Sequence, residues 1–136
     1  MSVKERIKKH EGCRYEPYED SVGVLTVGYG RNLRDIPFSQ DEIELMFEND
    51  YKRALDGAES LPPYFHLDET RRGVLIEMVF QLGLQGVRGF KKFLLAAAQG
   101  EYVWAAEEML DSKWARQTPE RAKELAKTFV KGYHER

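Results

Sequence analysis

A single cysteine, Cys13, stands among the 136 residues. One thiol cannot close an intrachain disulfide, so the fold gains no covalent staple and suits a reducing compartment. No apolar run approaches the length of a membrane span, and the N-terminal stretch MSVKERIKKHEG is charged where a signal peptide needs its apolar middle. An excess of one charge is missing too: 21 Lys and Arg against 23 Asp and Glu leave a formal net charge of -2, which gives no argument for a nucleic-acid or acidic-membrane partner. Residues 1–87 carry 11 basic and 16 acidic groups and residues 88–136 carry 10 and 7, so an anionic polymer would favour the second part. Internal repeats and low-complexity segments are absent. His10, His66 and His134 lack metal-ligand spacing and read as surface residues, so neither a metal nor another cofactor is expected. This length supports one core of ordinary size and a single domain over residues 1–136.

What is present changes period along the chain. Val3 and Ile7 fall at helical spacing among charged neighbours, giving a short amphipathic helix stopped by Gly12 with Glu11 at its end. A period of two follows: Leu25, Val27 and Tyr29 point one way, and Thr26, Gly28 and Gly30 the other, so Thr26 is expected to face away from the apolar side. Ser21-Val22-Gly23 turns the chain between a strand through Tyr15 and Tyr18 and the strand through Thr26, bringing Asp20 close to Thr26. A third short strand is expected over Arg31–Arg34. Ser39-Gln40-Asp41-Glu42 is a capping box opening a helix to about Leu55, and Leu61-Pro62-Pro63 marks a loop. From Asp68, a cap, the chain reads as closely spaced helices punctuated by glycine, the last begun by Thr118 as N-cap and Pro119. The main core belongs there, with Phe90, Phe93, Leu94, Trp104, Met109, Leu110, Trp114, Phe129 and Val130 supplying its large side chains.

The stretch HEGCRYEPYEDSVGVLTVGYGRNL, residues 10–33, gathers the candidate chemistry. A helix ending at Glu11 sets a carboxyl group at the negative end of a macrodipole, which favours the protonated form that a general acid needs. Asp20, in a polar turn, is free to act as base. Two carboxylates in unlike surroundings, with the Thr26 hydroxyl nearby, point to a glycosidase.

Glu, eight residues, Asp, five residues, Thr, then V-G-Y-G resembles the catalytic signature of the phage-type lysozymes, the glycoside hydrolase family that includes the T-even phage enzyme. Two later segments carry the same likeness: Asp68 to Phe90, with Arg71-Arg72 and M-V-F-Q-L-G, and S-K-W-A-R-Q-T-P-E-R-A-K from Ser112. Together they cover nearly the whole chain, with a gap between Leu33 and Ser39 where the T-even member has an additional helix. The resemblance implies an α+β, two-lobed fold: a small β-sheet lobe over about residues 13–50, and a helical lobe made by residues 1–12 plus about 56–136, joined by a long helix. It makes Glu11 the catalytic acid, Asp20 the second carboxylate and Thr26 the residue that helps place the attacking water. Substrate contacts fall at Asn32, Phe80, Phe93 and Glu108. The residue type matches the T-even member only at Phe80, which reads as either core or a sugar platform. Arg121 falls where the family has an arginine that reaches the catalytic glutamate, and its other reading is a solvated charge on the last helix. Arg31 replaces a common histidine, and a salt bridge with Asp50 is expected.

The resemblance implies an endolysin, monomeric and with peptidoglycan as its partner, that hydrolyses the β-1,4 bond between N-acetylmuramic acid and N-acetylglucosamine with inversion. It is expected in the host bacterial cytoplasm, reaching the periplasm through a separate membrane-permeabilising protein. Two alternatives keep the fold: a non-catalytic wall-binding or virion wall-piercing module, and a lytic transglycosylase. Binding alone needs no acid and base, and the transglycosylases of this type lack the second carboxylate, which Asp20 supplies here.

Overall fold

A computed structural model of the protein describes residues 1–132, and its contacts divide the chain into two compact units, Met1–Met46 and Phe47–Arg136. Among the described residues, seven α-helices and one three-stranded antiparallel sheet make up an α+β fold, the class expected. His134 lies outside the described residues.

The first unit opens with α1 (Val3–Glu11). Ser2 caps it reciprocally: its hydroxyl accepts from the Glu5 N–H at 3.1 Å, and the Glu5 carboxylate accepts from the Ser2 N–H at 3.1 Å. Lys8, Lys9 and His10 sit in the last turn, where positive charge suits the helix dipole. The sequence reading sets residues 1–12 with the helical part, whereas the contacts group α1 with the sheet. Lys8 Nζ stands 5.3 Å from the centre of the Tyr29 ring, and Glu11 lies against Gly30.

The sheet has the order β1 (Arg14–Glu19), β2 (Leu25–Gly28), β3 (Arg31–Asn32). Tyr18 and Asn32 flank Thr26 on either side. Between Arg14 and Tyr18 the register of β1 shifts, around Pro17, which has no N–H to give the ladder. β3 is shorter than the expected Arg31–Arg34, because the Asn32 carboxamide oxygen accepts from the Arg34 and Asp35 N–H groups and turns the chain away. The expected facing of β2 is reversed. Val24 and Thr26 are each 4% exposed, while Leu25 is 49% and Tyr29 46% exposed. A period of two says which residues share a face, not which face is covered, and Val24 extends the face of Thr26.

α2 (Gln40–Glu59) follows, with the expected box at its start: the Ser39 N–H donates to Glu42 Oε1 at 2.8 Å. A 3-10 turn (Tyr64–His66) leads to α3 (Glu69–Arg88), capped by Asp68 and broken at Gly83, where φ is 79°. Then come α4 (Lys91–Ala98), α5 (Tyr102–Leu110), α6 (Lys113–Gln117) and α7 (Pro119–Lys131). Thr118 does not cap α7 with its side chain. Its hydroxyl donates instead to the Trp114 carbonyl at 3.0 Å, closing α6.

In the second unit Phe93, Met109, Trp114 and Phe129 are buried as expected, with Leu75, Met78 and Val87 beside them. Phe90, Leu94 and Trp104 are partly buried against this core. Leu110 and Val130, expected inside, are exposed. Arg71 ties the start of α3 to the end of α7, donating to the carbonyls of Phe129 (2.6 Å) and Val130 (2.9 Å) and to the Asp68 carboxylate (2.6 Å). It thereby satisfies carbonyl groups that a helix end leaves free. Burial disfavours the Asp68 carboxylate, yet the Arg71 N–H and guanidinium hold its carboxyl below the usual range.

Candidate active site

Glu11 is the last residue of α1, and Gly12, with φ 73°, takes the chain out of the helix while its N–H caps the Lys8 carbonyl at 2.9 Å. The hairpin after β2 then passes beneath the Glu11 side chain. Gly30 has φ 79°, and a Cβ built on it would stand 2.5 Å from Glu11 Oε2. Glycine is required there twice, for the left-handed backbone and for the space that the carboxylate occupies.

Asp20 and Thr26 are organised by one residue between them. Asp20 Oδ1 accepts from the N–H groups of Val22 (3.0 Å) and Val24 (2.9 Å), which leaves Oδ2 without a hydrogen bond among the described residues. The backbone N–H of Asp20 donates to the Val24 carbonyl at 2.9 Å, and the Thr26 hydroxyl donates to the same oxygen at 2.9 Å. Two donors on one oxygen lie within about two hydrogen-bond lengths, roughly 6 Å, of each other. The structure therefore brings Asp20 and Thr26 together as expected from the turn. Thr26 is the only buried polar side chain among the described residues. With its proton committed to Val24, its oxygen is left as an acceptor. A carboxylate and an acceptor-only hydroxyl are the two groups that could each take one hydrogen of a water, turning its lone pair outward.

Arg31 and Asp50 do not form the expected pair with each other. Arg31 Nη1 donates to Glu42 Oε1 at 2.6 Å, with Nη2 on Oε2, a two-pronged contact with a carboxylate already held by Ser39. Asp50 takes Arg53, one turn along α2, at 2.8 Å. Hydrogen bonds from Arg31, and then from the Ser39 N–H and hydroxyl, pull the Glu42 carboxyl down to about 2, and the same carboxylate raises Arg31 above its ordinary value. Beside the hairpin, Tyr29 is raised, first by the neighbouring Cys13 and then by burial. Asn32 spends its carboxamide on the turn at Asp35, its Nδ2 donating to Oδ2 at 3.1 Å.

The other expected residues lie in the second unit. Phe80 is 41% exposed and so is not core. With Phe47, Tyr51, Glu77 and Arg121 it lines a groove of about 350 Å³. Arg121 donates to Glu77 Oε2 at 2.8 Å in a pair that stays open to solvent, with the Arg121 side chain 40% exposed. Phe93 and Glu108 border a common pocket of about 350 Å³ with Lys91 and Lys92. Of the two roles expected of it, Phe93 takes the core one. It is 1% exposed, 5.4 Å from the Phe129 ring centre, and belongs to the core. Glu108 accepts from Trp104 Nε1 at 3.3 Å.

Sequence reasoning missed Val24, Gly30 as a support for Glu11, Glu42 and Glu77. The first acts through its peptide group and leaves no trace in residue type. Glu42 was read only as a cap, although a capping glutamate keeps acceptor capacity for a second donor.

The sequence profile of the family described as phage lysozyme matches residues 8–129. Probable T4-type lysozyme 1 of Dictyostelium discoideum is 29% identical over 96% of this chain and 95% of its own length. The SAR-endolysin of bacteriophage PS119 is 33% identical over 73% of this chain and 60% of its own length. The pre-baseplate central spike protein Gp5 of Enterobacteria phage T4 is 25% identical over 97% of this chain but 28% of its own.

Proposed function

Since the chain belongs to the phage lysozyme family, and with it to the glycosidases, we propose that it is an endolysin that hydrolyses the β-1,4 bond between N-acetylmuramic acid and N-acetylglucosamine in peptidoglycan. The observation that carries this reading is the Val24 carbonyl, which takes both the Asp20 backbone N–H and the Thr26 hydroxyl and so holds the two residues in one turn. It supports a site for one oriented water beside a carboxylate, which a hydrolase needs and a binding module does not. In the proposed reaction Glu11 gives its proton to the glycosidic oxygen as the bond to the anomeric carbon breaks. The water held by Asp20 and Thr26 attacks that carbon from the opposite face and passes its proton to Asp20. The product is inverted, which calls for carboxyl groups roughly 6.5 to 9.5 Å apart in the working enzyme rather than the roughly 5 Å of a retaining pair.

No helix among the described residues is long and apolar enough to cross a membrane. In this proposal the protein, acting as a monomer, gathers in the host cytoplasm and reaches the wall through a separate membrane-permeabilising protein. Likeness to a spike protein over 97% of this chain favours one other reading, a virion part that pierces the wall without turnover. Mass spectrometry of muropeptides after digestion separates the cases. The hydrolase yields reducing ends, a transglycosylase yields anhydro ends, and a non-catalytic module yields neither. Glu11→Gln is expected to keep the fold and abolish lysis of chloroform-treated Gram-negative cells. Persisting lysis removes Glu11 from the role.

A further inference from the structure

We propose that Glu42 is a positioning residue for this reaction: through Arg31 it clamps β3 to the start of α2 and so fixes the strand that lies beside Thr26. The inference rests on the hydrolase reading, because Thr26 matters to turnover only there. β3 is two residues long, and its pairs are Val27 with Arg31 and Thr26 with Asn32. Two residues supply too little ladder to hold a register unaided, since such pairing is stable only when something else anchors the strand. On one side the glycine turn closes it, with Gly28 and Gly30 both at positive φ. On the other the anchor is Arg31. Its guanidinium meets both oxygens of Glu42, whose Oε1 also accepts from the Ser39 N–H and the Ser39 hydroxyl, each at 2.8 Å. The carboxylate thus bridges three chain positions: the strand, the residue before α2 and the first turn of α2.

Directly across the ladder from Arg31 and Asn32 are Val27 and Thr26, and the Leu33 N–H closes the pairing on the Leu25 carbonyl at 3.0 Å. With the clamp gone, the side-chain ties left to β3 among the described residues are the Asn32 turn at Asp35 and the Arg31 guanidinium over the Phe38 ring at 5.8 Å, neither of which reaches α2. The strand then slackens against Thr26, and the hydroxyl that aims water is less fixed. Misplacement of a positioned group by about 1 Å is enough to cost orders of magnitude in rate. Glu42 itself touches no reacting atom. It acts through Arg31 and the ladder.

The test measures kcat and KM on purified peptidoglycan for the wild type, Glu42→Gln and Arg31→His, with Lys123→Ala as a control that removes an exposed ion pair elsewhere. Glu42→Gln is expected to lower kcat about tenfold, leave KM within about twofold and speed amide exchange at Leu33, with unchanged circular dichroism. Lys123→Ala is expected to match the wild type. Arg31→His converts the clamp to a titratable one facing Glu42 and Asp41, the two carboxylates that act on position 31. Its kcat is expected to gain a new alkaline limb near or above pH ~6.5, absent from the wild type. A merely structural pair would lower the melting temperature and leave kcat and its pH profile alone, and that result overturns the clamp. A wild type without muropeptide products overturns the hydrolase reading and the clamp with it. An active wild type with unaffected Glu42→Gln turnover sinks the clamp alone.

Discussion

Replacing Gly30 by alanine isolates what the hairpin does for Glu11. A side chain at φ 79° costs about 1–2 kcal/mol in backbone strain, of which roughly 0.4–1 kcal/mol returns through the stiffer unfolded chain. The net loss is about 1 kcal/mol, a fall of roughly 3–5 °C in melting temperature for a chain of this size. Gly100→Ala carries the same strain at φ 73° with no atom within 4 Å of the new methyl, so it is the matched control. The two variants differ in one respect. At Gly30 the new Cβ would stand 2.5 Å from Glu11 Oε2, and the carboxyl must retreat by about 1 Å to restore ordinary contact. Its side chain is long enough to do so at little cost in stability. A proton donor displaced by that distance loses about 10²-fold in rate. The assay pairs thermal denaturation with the rate of turbidity loss in chloroform-treated Gram-negative cells. Both variants are expected to melt a few degrees lower, and only Gly30→Ala to lose lysis. Wild-type lysis by Gly30→Ala, or an equal loss in Gly100→Ala, would refute the reasoning.

Acid stability tests the Glu42 pair. Its folded value of about 2 lies below the unfolded value of about 4.3, so its contribution is complete above pH ~5 and disappears as pH falls through the folded value. Melting curves of the wild type and Glu42→Gln are expected to diverge above pH ~5 and to meet near pH ~2, and a gap independent of pH contradicts the assignment. Phe93 is core, so Phe93→Ala is expected to cost about 3–5 kcal/mol in denaturant titration while Phe93→Leu keeps wild-type turnover. Loss of activity in Phe93→Leu at unchanged stability would return that residue to the substrate. Thr26→Val removes the donor to the Val24 carbonyl, which retains the Asp20 N–H, so about 1 kcal/mol of stability is expected to go. Turnover is expected to fall roughly 100-fold and to be largely kept in Thr26→Ser; full activity in the valine variant removes Thr26 from the mechanism.

The elements were legible wherever a local rule decides them. Ser39 with a glutamate three residues on, Asp68 before α3 and Pro119 at the first position of α7 all mark helix starts in the structure, because a cap is a contest among neighbours in sequence. Errors fall where one side chain has more than one partner to choose from. Thr118 had a helix of its own to close and gave its hydroxyl to Trp114. Arg31 had several acidic residues on α2 as candidates, and the one already oriented by Ser39 took it. Phe93 reads from the sequence both as core and as a substrate contact, and its packing against Phe129 shows the core role.

For the site, spacing alone placed Asp20 near Thr26, since a turn of this length returns the chain on itself, but it could not say what locks them. The lock is a peptide unit, and any side chain at residue 24 would display the same carbonyl oxygen. What the side chain at that position must satisfy is burial, and valine at 4% exposure meets that demand. The same argument explains why the hydroxyl had to be on the covered face. A threonine turned to solvent would share its proton with bulk water, whereas a buried one must give it to the nearest carbonyl and keep its lone pairs in a fixed direction. In the proposed reaction, aiming a water is thus a consequence of burying a polar group next to a turn, and the burial of Thr26 corrects the period-of-two reading that sends it to the open side.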